Sequence, residues 1–218
     1  MITVDEYRFS KRKTLAVSID PVGRVIVRAP KGYPQKKIDD FLQKKAAWIE
    51  SHSRIKRERA ADILPSSLDG YLLPFLGGQL RLVVSPVKRA KEESGALYLP
   101  MVNPESALKN WLKRQAREIF LSRTIYWQDK MGVRCRSVSV SSAKRRWGSC
   151  SGKDELRYTY RLLYAPMEMI DYVVVHELAH IRHKNHSALF WKEVSAYMPD
   201  CFSRRAWLKK HALYLELF

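Results

Sequence analysis

Cysteine is scarce in this 218-residue chain: Cys135, Cys150 and Cys201 are odd in number, far apart, and form no Cys-x-x-Cys pair. That argues against a disulfide framework and a cysteine-based zinc site, and fits reduced thiols in a cytoplasmic protein. Long apolar runs are lacking too. The opening MITVDEYRFSKRK has no signal-type apolar stretch. No later run approaches the ~20 residues that span a bilayer. The expectation is a soluble chain that stays where it is made and has no membrane partner. Without a secretory signal, the sequon-like Asn185-His186-Ser187 carries no meaning. Internal repeats and low-complexity linkers are also missing, and six tryptophans argue against disorder.

Acidic residues are outnumbered, 22 Asp and Glu against 40 Lys and Arg, for a formal charge of +18. Such a surface attracts polyanions, nucleic acid among them; the alternative is a set of solvated faces that only confer solubility. The stretches to watch are Lys11-Arg12-Lys13 and the Lys/Arg-rich face of 36–59. The sequence has no zinc-finger or helix-turn-helix signature, so nucleic acid enters only as a partner of the basic surface.

What is present reads as an α+β chain. Leu15, Val17 and Ile19 alternate, Asp20-Pro21-Val22-Gly23 supplies a turn, and Val25, Val27 and Ala29 alternate again, which is a hairpin signal. Ile38, Phe41, Leu42, Trp48, Ile49 and Ile55 then recur at helical spacing. Residues 60–100 read as short strands broken at Gly77-Gly78 and at 92–95. Asn103-Pro104-Glu105 predicts a helix start with Asn at the cap, and Gly132 its end. Val138 and Val140 mark a strand, and 144–163 predicts two strands joined by a turn at Ser151–Asp154. Pro166 opens the next helix, Ser187 or Asn185 caps another through Tyr197, and a last helix covers about 203–215. A boundary is expected near 103, with a β-rich region and one basic amphipathic helix in 1–103 and a helix-plus-hairpin region in 104–218.

Four of the six histidines fall within VVVHELAHIRHKNHS, residues 173–187. His176-Glu177-Leu178-Ala179-His180 matches His-Glu-x-x-His, a pattern whose chance expectation here is about 0.01. Residues four apart lie on one helix face, so both imidazoles reach a single ion, and Glu177 projects to where an activated water sits. A catalytic zinc takes a third protein ligand. His183 shares the helix face, but seven residues rise roughly 10.5 Å, too far for three rings to converge on one ion. If the helix ends around 182–185, the chain turns and returns His186, at the ten-residue spacing seen in other zinc proteases. Geometry therefore favours His186. The expected chemistry is peptide hydrolysis by a metal-activated water, with Glu177 as general base. The oxyanion partner stays open among His183, Arg146 and a nearby tyrosine. Trp147-Gly148-Ser149-Cys150 could present backbone to an extended substrate, or could simply pack Trp147 into the core. A purely structural metal site is disfavoured, because such sites usually carry four cysteine-rich ligands.

On segments 145–166, 170–191 and 197–200, the C-terminal half resembles the YgjP-like metallopeptidases, compact zincins related to the SprT-like and Wss-type proteases. The N-terminal stretch from Ser10 to Gly32, the tryptophan-bearing helix after it and Leu73–Leu82 (LPFLGGQLRL) resemble the same family's N-terminal region. At Thr159-Tyr160 the chain departs from a pattern that more often has Asn-Trp. The resemblance implies a zincin-like core, with the active-site helix on a small, mostly antiparallel sheet. It also implies one zinc ion per chain held by His176, His180 and His186, Glu177 as the catalytic glutamate, and a protein or peptide substrate.

Overall fold

Residues 2–61, 65 and 67–218 are described by the computed structural model, and they divide into two compact units, Met1–Pro65 and Ser66–Phe218. The first unit holds strands β1 (Glu6–Ser10), β2 (Ala16–Ile19) and β3 (Val25–Pro30), then helices α1 (Gln35–Lys44) and α2 (Ala46–Ala61). The expected hairpin is β2–β3, paired antiparallel with Val17 opposite Val27. Its turn is tied by Asp20, whose Oδ1 accepts from the amides of Val22 and Arg24. β1, which the sequence pattern did not reveal, lies parallel to β3 on the other side. Val25, Val27 and Ala29 pack against Ile38, Leu42 and Ile49 to form this unit's core.

The single helical stripe expected from Ile38 to Ile55 is in fact two helices. At Lys45 the chain tightens, its amide bonding to Leu42 O at 3.1 Å instead of continuing the α-helical ladder. The buried stripe nevertheless keeps its four- and seven-residue spacing across that joint, through Ile38, Leu42, Ile49, Ser53 and Ala60. Ile38, Leu42 and Ile49 are buried, whereas Trp48 and Ile55 are 44% and 40% exposed.

The second unit begins with a four-stranded sheet, β4 (Leu72–Phe75), β5 (Gly78–Ser85), β6 (Lys91–Glu93) and β7 (Ala96–Pro100), in the order β4-β5-β7-β6. The strands expected in 60–100 are these; residues 62–64 and 66 lie outside the described residues. α3 (Pro104–Met131) comes next, then β8 (Ser137–Ser141), β9 (Gly148–Cys150) and β10 (Glu155–Thr159). A 3₁₀ turn at Tyr160–Tyr164 leads into α4 (Met167–Arg182), α5 (Ala188–Tyr197) and α6 (Cys201–Lys210), with a closing 3₁₀ turn at Ala212–Glu216. The compact units divide at Pro65–Ser66 and not near 103. The β4–β7 sheet packs against elements C-terminal to it: Phe75 meets Trp111 of α3 at 5.2 Å between ring centres, and Leu76 N–H bonds to Leu163 O.

α3 starts at Pro104 and ends at Gly132 in the left-handed conformation (φ 63°), as the sequence predicts. Asn103 stands at the cap position but is itself left-handed (φ 53°) and makes no side-chain capping bond, so the helix start relies on Pro104 and Glu105. Leu108, Trp111, Leu112, Ala116 and Phe120 form the buried stripe of α3. The small sheet runs β8-β10-β9, with β10 parallel to β8 and antiparallel to β9. β9 is therefore an edge strand, and α4 lies against it. α4 is buried on most of its circumference, from Met169 through Ala179. No helix among the described residues is long and apolar enough to cross a membrane.

α3 is tied to α4 by a forked ion pair, Arg123 Nε and Nη2 on the two oxygens of Asp171 at 2.6 and 2.8 Å. Both side chains are largely shielded, so the pair outweighs a surface bridge. Asp171→Ala is expected to lower stability by about 1–2 kcal/mol, read as a shift of the denaturant midpoint at unchanged slope. A midpoint equal to the parent's would show the pair to be a solvated ornament.

Candidate metal centre

The centre is built where α4 stops. Its last turn is followed by His183 with extended backbone (φ −119°, ψ 97°), so the helix ends at Arg182, four residues before His186. Three successive residues hold the break. Arg182 bonds through Nη2 to the carbonyls of Met131 and Gly132, and through Nη1 to Glu193 Oε1 at 2.6 Å. His183 Nε2 lies 2.8 Å from Glu193 Oε2. Lys184 reaches Asp154 at 2.5 Å, tying the returning loop to the β9–β10 turn. Ser187 then caps α5, its Oγ accepting from Phe190 N–H.

The break brings His186 back to the two histidines of α4. Nitrogens of His176, His180 and His186 all lie within 4.8 Å of one another, and His176 Nε2 faces His186 Nε2 at 3.0 Å. His183, which shares the helical face in a simple projection, is turned away to Glu193. Phe190, fully buried, sits under all three rings, 4.6–4.9 Å between centres, and Trp191 stacks on His186 at 5.8 Å. Neither aromatic was singled out from sequence; the only available signal was an apolar pair three and four residues after a Ser cap.

Burial keeps the two imidazoles of α4, His176 and His180, neutral. It holds His176 down to about 3, helped by the neighbouring His180, His186 and Arg205, and it lowers His180 as well. Neutral imidazole is the form that binds a metal ion. His180 Nδ1 is 2.9 Å from His183 O, which places its proton on Nδ1 and leaves Nε2 as the donor. His176 Nδ1 is buried with no hydrogen-bond partner among the described residues. The set fits a small divalent ion, since nitrogens of a tetrahedral zinc site with ~2.1 Å bonds stand ~3.4 Å apart.

Glu177 is 6% exposed and faces β9. Burial pushes its carboxyl up to about 7, against the pull of Arg146 and of the Cys150 amide. The fit against the strand is close. A Cβ on Gly148 would stand 2.7 Å from Glu177 Oε1 and 2.8 Å from its Cγ, so only glycine leaves room. In the antiparallel ladder Trp147 O and Ser151 N bond to β10. By alternation the backbone groups of Gly148 and Cys150 point to the free edge, toward α4. This accounts for Gly148 in the Trp-Gly-Ser-Cys stretch.

Trp147 is only half-buried, so it does not enter the core. It lines a cavity of about 440 Å³ with Tyr172, His176 and Glu177. Of the three oxyanion candidates, His183 is engaged by Glu193, Arg146 is exposed, and Tyr172 borders the cavity beside His176. Cys150 is no activated nucleophile, because burial pushes its thiol up to about 11.

A helix bearing His-Glu-x-x-His, with a third histidine returned from beyond its end, is the kind of site that metallopeptidases carry. Residues 13–211 match the family model described as YgjP-like, metallopeptidase domain, and the chain belongs to that family. No curated protein matches it. Two solved structures similar to it are metallopeptidase zymogens. Jannalysin of Methanocaldococcus jannaschii is 18% identical (TM-score 0.39), over 42% of this chain and 95% of that one. Abylysin of Pyrococcus abyssi is 22% identical (TM-score 0.38), over 42% of this chain and 93% of that one.

The close approach of Glu177 to β9 is testable through paired glycines. Gly148→Ala is expected to cost about 1–3 kcal/mol in denaturant unfolding, the usual range for overpacking. Gly152→Ala, where an added Cβ meets nothing within 4 Å, serves as control and is expected to be nearly neutral. Equal effects at the two positions would contradict the contact.

Proposed function

We propose that this metallopeptidase is zinc-dependent, with His176, His180 and His186 holding one ion per chain and Glu177 serving as general base. The observation that carries this is the convergence of three imidazoles beside a shielded carboxylate. Zinc, when bound, supplies an acidified water and a Lewis-acid contact for the scissile carbonyl. The chain's own residues do the rest. Glu177 takes the proton of the attacking water and passes it to the leaving amine. The Nδ1–H of His180, fixed on His183 O, orients that ring. Gly148 gives Glu177 its place, and the outward-facing backbone of β9 offers an edge to which an extended peptide adds as a strand. Tyr172, on the cavity wall, is our choice for the group that meets the developing oxyanion. Three free thiols suit a reducing compartment, and we place the protein in the cytoplasm.

Three variants separate the roles. Glu177→Gln is expected to retain one zinc per chain by elemental analysis and to lose at least ~100-fold in peptide hydrolysis. His186→Ala is expected to lose the metal, and His183→Ala to keep it. Hydrolysis surviving in Glu177→Gln, or zinc surviving in His186→Ala, would sink the assignment.

A second reading, action on nucleic-acid-bound protein, draws support from another groove of the same unit. Lys88, Arg89, Arg114 and Arg117 line it, and its wall contains no carboxylate. None of the four has an ion-pair partner among the described residues. Fluorescence anisotropy with a DNA duplex across salt concentrations checks it: phosphate contact predicts steep weakening with salt, and Arg114→Ala should reduce the log–log slope by about one. A salt-independent or absent signal would leave the basic surface as a solubility feature.

A further inference from the structure

The cavity that Trp147 borders adjoins the metal centre and has a chemistry of its own. Its volume is about 440 Å³, at the small end of ligand pockets and suited to one or two residues of an extended peptide. One side is formed by α4 (Tyr172, Val173), which also contributes His176 and Glu177. The other is formed by α6, through Arg205, Leu208 and Lys209. The i, i+3, i+4 spacing puts these three on one face of α6. Leu208 is buried, so the same face that anchors the helix carries the two cations at the pocket.

Those cations are unusual in their partners. Arg204, the neighbour of Arg205, is paired with Asp200 at 2.8 Å. Arg205 instead lies over the face of Trp191, 5.1 Å from the ring centre, and Trp191 in turn stacks on His186. Neither Arg205 nor Lys209 has a carboxylate partner among the described residues. The cavity wall contains one acid, Glu177, whose role is taken. Two like charges one helical turn apart repel, and the apolar side chains of Trp147, Val173 and Leu208 on the wall strengthen the attraction of any anion placed between them.

We infer that this cavity is a substrate subsite for a carboxylate on a short apolar stem, held by Arg205 and Lys209 immediately beside the scissile bond. The carboxylate is either an Asp or Glu side chain of the substrate or the free C-terminus of a peptide. The inference rests on the peptidase function proposed above and fixes its specificity. Arg205 and Lys209 are specificity residues: they orient the substrate and take no proton in the reaction.

The test uses the zinc-loaded protein and a randomised peptide library in two forms, with amidated and with free C-termini, cleavage sites being read by mass spectrometry. Enrichment of Asp and Glu at one position next to the cleaved bond in both forms identifies a side-chain carboxylate. Cleavage confined to a fixed distance from a free C-terminus identifies the terminal one. In the R205E/K209E variant the acidic preference is expected to vanish and Lys or Arg to replace it. For a matched peptide pair that differs only in the carboxylate so identified, Glu against Gln or free against amidated C-terminus, the preference in kcat/KM is expected to be about tenfold or more, the worth of a charge-assisted bond. A preference that is flat, or unchanged in the variant, overturns the subsite while leaving the peptidase reading intact. Binding to Glu177→Gln, followed by tryptophan fluorescence, decides the subsite even if nothing is cleaved. With no cleavage to choose between them, both pairs are measured: in one, Glu against Gln or free against amidated C-terminus, the peptide bearing the carboxylate should bind about tenfold tighter and lose that margin in Glu177→Gln carrying R205E/K209E; equal binding within both pairs overturns it. Arg205→Gln, a milder change at an exposed position, guards against misfolding of the double variant and should halve or more the discrimination.

Discussion

The site depends on one interruption of regular structure: α4 must stop at Arg182. A helix that continued would carry His186 to a different face and leave His176 and His180 without a third imidazole. Stopping a helix leaves carbonyls and side chains in need of partners. Here Glu193 of α5 receives both Arg182 and His183, and Arg182 also spans to the carbonyls that end α3. The groups that terminate the helix are thus engaged by the elements that frame the site. His183 is more useful as the clasp than as a ligand, since its carbonyl also orients His180.

Around that interruption the structure accepts two costs. Glu177 is taken out of water, which raises its affinity for a proton, and Gly148 gives up a side chain in a strand so that the carboxylate can lie against the backbone. An unpartnered buried nitrogen, His176 Nδ1, is a third departure from an economical core. Such departures gather where chemistry is done; the rest of α4 is ordinary apolar packing from Met169 to Ala179.

Much of the fold was legible in the sequence. The β2–β3 hairpin, the left-handed Gly132, the β9–β10 turn and the Ser187 cap are local events, set by residues within a few positions of one another. Where the pattern misled, a distant partner or a local break in the chain was responsible. The helix expected from Ile38 to Ile55 is interrupted at Lys45, and Trp48 and Ile55 lie off its buried stripe. Asn103 occupies the cap position without capping. The strands of 72–100 read as belonging with the N-terminal hairpin, yet their aromatic contact to Trp111 binds them to the later unit.

By itself the sequence determined that two imidazoles share a face, because His-Glu-x-x-His at helical spacing puts them there whatever surrounds it. It also favoured a third imidazole from beyond a helix end, because seven residues of helix rise too far for His183 to join both His176 and His180. Tertiary structure alone decided what sits around them. Phe190 under the rings, Gly148 against Glu177, Trp147 in the cavity wall, and Arg205 and Lys209 across from it come from segments tens of residues apart. Their meeting depends on how α4, α5, α6 and the β9 edge pack, and no local spacing rule encodes such packing.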